Sequence, residues 1–284
     1  MPQTSPTVVV LTALAVEYDA VRAHLGEDVE ELVHEDGTRV ECGRLADTDW
    51  TVAVAWLGEG ALNASALTMQ IVSWLRPEAL LFVGVAGSLK KDVQLGDVVV
   101  GTKVYAVQGG KVTDQGFQGR PQVWPGSHRL IQAAGSALRG LNGVRGHLKP
   151  IACGDVVLTD DGSAFAAYIR QHFNDANAIE MEGSGAAHAA HLSGQLDALV
   201  IRGISDRANA DKSKADAGGS QQRAAEQAAL VAMALLRKHR PRGTRSSESP
   251  SGSKEGPQYG GDHIDFRGGV FNGPVIGKRV DRER

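Results

Sequence analysis

Residues Ala178–Asp206 read AIEMEGSGAAHAAHLSGQLDALVIRGISD, two apolar runs that each deliver carboxylates at their exit. The first run ends in Glu180-Met181-Glu182 and opens a small-residue helix from Gly183 to His191. The second, Ala198–Ile204, is the short β-branched run of a buried parallel strand, followed at once by Ser205-Asp206. Open α/β sheets bind ligands outside the carboxyl ends of their strands, so acids at two such ends can face one small molecule. Taken singly, Glu180, Glu182 or Asp206 could as well be a helix N-terminal acid held by capping and the macrodipole.

Outward from this stretch the chain alternates strands and helices. Val8–Leu14 reads as a buried strand and Ala15–Leu25 as a helix, with Glu17 at the turn between them. Thr38–Leu45 and Thr51–Leu57 read as strands joined by a polar turn. Gly58-Glu59-Gly60 follows, and Ala61–Leu75 is a helix that stops before Arg76-Pro77. Further strands are expected at Ala79–Val85, Val98–Val104 and Pro150–Leu158, and helices at Ser127–Leu138, Gly162–Phe173 and Gln221–His239. Residues 106–147 otherwise read as loops rich in Gly, Gln and Pro, with Phe117, Val123 and Trp124 as exposed apolar side chains for a second copy to cover.

A chain of 284 residues with 42% hydrophobic content can bury a large core, which fits one α/β domain over residues 1–240 plus a tail. The formal charge of −3 gives no electrostatic reason for a nucleic-acid or membrane partner, and Arg39, Arg139, Arg145 and Lys149 read as solvated. Cys42 and Cys153 lie in apolar runs and make no disulfide framework; with no signal peptide at the N-terminus, a cytoplasmic location is expected. No cofactor is expected. Gly58-Glu59-Gly60 lacks the spacing of a dinucleotide fingerprint, and His188 and His191 find no third or fourth metal ligand.

The motifs TALAVEYDAV, LGEGALNAS, FVGVAGSL with QLGDVVVG, IACGDVVL, AIEMEG and VIRGISD stand in collinear order over residues 7–238. In that order the chain resembles the nucleoside phosphorylase superfamily, specifically its methylthioadenosine/S-adenosylhomocysteine nucleosidase branch. The resemblance implies a three-layer α/β/α fold with a mixed central sheet, a purine nucleoside or nucleotide as substrate, and a homodimer or higher homo-oligomer. It implies Asp206 as general acid at purine N7, with Ser205 as its hydrogen-bonding neighbour and Arg202 orienting that strand end. Glu182 would accept the ribose hydroxyls beside the backbone of Met181, with Glu180 in the same turn, and Glu17 would deprotonate the attacking water. Ala86 and Gly87 would leave the backbone bare beside sugar and base. Where these nucleosidases stack an aromatic ring on adenine, this chain has Val157.

Cleavage of an N-glycosidic bond passes through an oxocarbenium-like state, so it needs an acid for the leaving base, an acceptor for the sugar and a positioned nucleophile. A phosphorylase is the alternative, but FVGVAGSL offers only a Ser and backbone amides to an anion, and Glu17 would repel it. A nucleoside-sensing adaptor without turnover is the alternative from another class; it has no need of both an acid and a base.

Beyond Arg240 the composition turns to Pro, Gly, Ser and charge, which reads as a disordered, flexible linker over residues 241–261. Residues 262–284 then carry a short β-prone tail. Its core, FRGGVFNGPVIG from Phe266 to Gly277, resembles the amyloid signalling motifs of bacterial and fungal immune proteins, which implies a partner protein with a matching motif. An inert tail is the alternative.

Overall fold

Alternate residues of the first strand enter different layers, Val8 and Val10 one apolar cluster and Val9 and Leu11 another, because successive side chains of a strand point to opposite faces. The strand is therefore buried on both sides, as its unbroken TVVVLT requires. The computed structural model describes residues 6–114, 116–194 and 196–242. In chain order the first half contains β1 (Thr7–Thr12), α1 (Ala15–Arg22), β2 (Glu30–Val33), β3 (Arg39–Arg44), β4 (Thr51–Trp56), α2 (Ala61–Leu75), β5 (Ala79–Ser88) and β6 (Val98–Ala106). The second half contains β7 (Gly110–Thr113), β8 (Gly116–Gly119), β9 (Gln122–Pro125), α3 (His128–Gly140), β10 (Gly146–Cys153), α4 (Ala164–His172), β11 (Ala178–Glu180), α5 (Gly183–Leu192), β12 (Asp197–Asp206), α6 (Lys212–Ala217) and α7 (Ser220–Lys238).

Among the described residues, ten strands form one mixed sheet in the order β11-β10-β6-β12-β5-β1-β4-β3-β2, with β9 on β6. Helices α1, α3 and α7 cover one face, and α2 and α5 the other, so the expected α/β/α layering with a mixed sheet is what forms. The sheet also closes on itself. Strand β11 runs parallel to β10 and antiparallel to the end of β5, pairing Ala178 with Ser88 and Ile179 with Gly87. That closure brings the carboxyl ends of β5, β11 and β12 together, since Asp206 at the end of β12 aligns with Gly87.

Several expected boundaries shift. The strand expected over Pro150–Leu158 begins at Gly146 and ends at Cys153, because Gly154 N–H turns to the Glu180 carbonyl (3.0 Å) and Val156 N–H to Gly154 (2.6 Å). Val157 consequently lies in a loop. The stretch read as loops holds the β7–β8 hairpin and β9, which pairs antiparallel with β6 and carries Trp124 onto α5 at 4.6 Å between ring centroids from His188. Trp124 is thus half-buried, whereas Phe117 and Val123 are exposed. Just past residue 240, Arg242 donates its backbone N–H to Glu78 and a guanidinium N–H to Asp197. The linker and tail otherwise lie outside the described residues. Both cysteines are buried and unpaired, and no described helix is long and apolar enough to cross a membrane.

Candidate active site

Glu17 sits in the first turn of α1, where the chain leaves β1, and is buried. Its Oε2 accepts the N–H groups of Ala13 (2.8 Å) and Leu14 (2.9 Å), and its Oε1 that of Val85 on β5 (2.7 Å). Burial pushes the Glu17 carboxyl up, against the opposing pull of the Arg202 guanidinium and these amides. The outcome is a carboxylate fixed in place yet more basic than a surface glutamate.

Glu180, Met181 and Glu182 form the turn from β11 into α5. Glu180 Oε2 accepts the N–H of Gly183 (2.8 Å) and of Glu182 (3.2 Å) and pairs with Arg202 Nη2 at 2.5 Å. Arg202 is 0% exposed, so its charge requires that partner; its guanidinium also lies over the Phe82 ring at 4.2 Å. Glu182 Oε1 accepts the Gly60 N–H (3.1 Å), and its other oxygen lies 3.9 Å from Arg202. Burial pushes Glu182 up to about 7; Arg202 and the Gly60 amide pull it down, and Glu180 and Glu17 add to the rise.

At the end of β12, Asp206 Oδ1 accepts the Ala208 N–H (2.8 Å), and Oδ2 accepts the Ser205 hydroxyl (3.0 Å) and the Lys212 ammonium (2.8 Å). Gly87 lies alongside: a methyl group there would stand 2.8 Å from Asp206 Oδ1 and 3.0 Å from the Ala208 side chain. Gly84, three residues earlier on β5, leaves room for Arg202 Nη1 and a Glu17 oxygen, which a methyl group there would meet.

These groups line one cavity of about 170 Å³, walled by Leu14, Glu17, Glu59, Ala86, Gly87, Val157, Met181, Glu182, Ser205, Asp206 and Lys212 among others. The structure brings together every residue that the resemblance places in the site except Arg202, which lies beneath the cavity floor and contacts it through Glu180 and Glu182. Val157 stands at the cavity wall, 55% exposed, and supplies no aromatic face. His188 and His191 flank Trp124 instead of the cavity.

The sequence model of the phosphorylase superfamily matches residues 7–237. The chain belongs to the phosphorylase superfamily. Among solved structures, this superfamily member is similar to the 5′-methylthioadenosine/S-adenosylhomocysteine nucleosidase of Neisseria meningitidis in complex with methylthio-immucillin-A. The two share 27% identity over 81% of this chain and 98% of that one, with a TM-score of 0.71. The corresponding nucleosidase of Colwellia psychrerythraea, in complex with adenine, gives 22% identity over 83% and 96% of the chains and a TM-score of 0.73. Futalosine hydrolase of Helicobacter pylori gives 22% identity over 82% and 97% and a TM-score of 0.69.

Two charged lining residues escaped the sequence reading as site residues. Lys212 belongs to KSKADA, a six-residue helix with no apolar stripe to mark it, and reaches Asp206 only because α6 folds back over the end of β12. Glu59 lies between the glycines whose loop approaches Glu182.

Proposed function

We propose that the protein hydrolyses the N-glycosidic bond of a purine nucleoside or nucleotide and releases the base. The observation that carries this reading is the convergence of Glu17, Glu182 and Asp206, from three separate segments, on one cavity. In the proposed reaction Glu182 holds the ribose hydroxyls, and Glu17 takes a proton from water as its oxygen attacks C1′. The C1′–N9 bond breaks with its electron pair going to the purine, and Asp206 delivers a proton to N7. Arg202 and Glu180 are positioning residues. Their ion pair, with the two amides on Glu180 Oε2, fixes the turn that presents Glu182.

Water is favoured over phosphate as nucleophile because the attack end is lined by Glu17, Glu59, Glu180 and Glu182, which would repel an anion. The solved relatives named above as nucleosidases and a hydrolase support the same choice. Absence of an aromatic wall at Val157 removes one stacking partner for adenine and leaves the base to be found by assay. The deciding experiment is product identity from a purine panel with and without added phosphate. Free ribose or ribose phosphate with no phosphate requirement supports hydrolysis; ribose 1-phosphate formed only with phosphate overturns it.

On the sequence of residues 263–277 we further propose that the tail recruits the enzyme to a partner with a matching motif, and on the exposed apolar Leu62, Phe117 and Val123 that the catalytic domain is a homodimer or higher homo-oligomer.

A further inference from the structure

A second cavity of about 460 Å³ adjoins the catalytic one, with Leu158 and Ala208 forming walls of both. Its charged lining is Lys90, Lys91, Arg170 and Arg207 against a single acid, Asp161. None of the four cations is paired with a carboxylate among the described residues. Lys90 donates to the Asn174 carbonyl, Arg170 to the Asp161 carbonyl (2.6 Å) and Arg207 to Gln94 Oε1 (2.7 Å). The contrast with the neighbouring cavity is sharp, since there the acids are Glu17, Glu59, Glu180, Glu182 and Asp206 and the cation is Lys212.

An anionic group cannot be seated among those acids without repulsion, whereas the adjoining basin offers uncompensated positive charge. The basin opens at the Asp206–Ala208 end. This inference rests on the proposed reading of Asp206 as the acid at N7, which sets the C8–N7 edge of the purine toward that end. In an extended purine nucleotide C5′ projects toward that same edge of its base, so a 5′-phosphate chain leaves the cleft on the basin side. We propose that the basin is a subsite for the phosphate chain of the substrate, and that the molecule hydrolysed is a purine nucleotide in preference to a neutral nucleoside.

The test uses the full chain and the double charge reversal Lys91→Glu/Arg170→Glu, both positions being exposed and outside the catalytic cavity. Base release is measured on adenosine, inosine and guanosine and on their 5′-mono- and triphosphates. The expected result is a kcat/KM for nucleotides at least about tenfold above that for nucleosides, lost in the double variant while the nucleoside rate stays. Equal losses on both classes, or nucleotide turnover indifferent to the reversal, would overturn the subsite and leave the hydrolase reading standing. Inorganic triphosphate, as a separate probe, distinguishes a free anion: stimulation of nucleoside hydrolysis by it, without a preference for nucleotides, also overturns the proposal. Binding to the Asp206→Asn variant by calorimetry supplies a readout independent of turnover. Nucleoside and nucleotide of equal affinity there would count against the basin, and no base release by the wild-type chain from any compound would sink the hydrolase reading instead.

Discussion

Replacement of Glu182 by Gln should make the protein more stable and less active, with a pH signature that follows from its surroundings. Glu182 is held at about 7 in the folded chain and ionises at 4.5 when exposed. The folded state therefore retains a proton that the unfolded state has lost. This contribution to stability is intact below pH 4.5 and disappears as pH rises through 7. With about 1.4 kcal/mol per pKa unit, the wild type forfeits about 1 kcal/mol by pH 5 and about 3 kcal/mol by pH 8. Glutamine has no such term. Its carbonyl still accepts the Gly60 N–H, while its NH2 group faces Arg202, a constant offset that does not vary with pH. Urea melts of both proteins from pH 5 to 8 should show the variant gaining on wild type by roughly 2 kcal/mol across that interval, a Tm difference that widens by several degrees. A difference that stays constant, or shrinks toward pH 8, would refute the argument that buried ionisation of Glu182 is held at a cost to the fold.

Asp206→Asn keeps the shape and loses the proton donor, so base release should fall about 10²- to 10⁴-fold with folding unchanged; release at the wild-type rate would remove Asp206 from its role. Lys212→Met should lower kcat, with Lys212→Arg restoring rate if the ammonium supplies charge alone; unchanged kinetics in both would make the 2.8 Å contact to Asp206 structural. Light scattering on residues 1–242 should give a dimer, since Leu62 (83% exposed), Met69 and Leu192 stand uncovered on α2 and α5 beside Phe117 and Val123 elsewhere on the surface; a monomer at micromolar concentration counts against it. A peptide of His263–Val280 should form β-rich fibrils that Val270→Asp/Val275→Asp abolishes, and absence of thioflavin binding, alone or with candidate partners, would leave an inert tail.

Most of the central sheet was legible because each strand carries its own signal. TVVVLT, ALLFVGVA and ALVIRGIS are buried on both faces and tolerate no polar alternation, and each is followed by a small residue or an acid. What escaped has a common physical cause. β2 and the β7–β8 hairpin are largely exposed, so no buried face imposes a period-two pattern on them. Val156 and Val157 misled in the opposite sense: a β-branched pair reads as strand, yet 44% and 55% of their surfaces are exposed at the site. The antiparallel pairing of β11 with the end of β5 is fixed by tertiary packing, and no local feature of AIE announces it. Arg202, inside the apolar run Ala198–Ile204, was singled out only through the family resemblance; that it lies under the floor, matched to Glu180, depends on Gly84 leaving it room.

That buried charge set bears directly on catalysis. Arg202 faces Glu180, Glu17 and Glu182, and the three carboxylates together hold its guanidinium charged despite complete burial. Burial pushes both Glu17 and Glu182 upward against the pull of Arg202, and at Glu182 the neighbouring Glu180 and Glu17 add to the rise. In the proposed reaction positive charge arrives with the transition state: the ribose ring becomes oxocarbenium-like just above these acids. A fixed surplus of negative charge stabilises that cation more than it stabilises a neutral ground-state sugar, which is the differential that lowers a barrier. The same surplus raises the cost of folding at neutral pH, so the instability expected from ionised Glu182 and the stabilisation of the cationic sugar have one origin. Neutralising Glu182 should therefore move stability and rate in opposite directions, whereas neutralising Glu180 would strand the buried Arg202 and lower both.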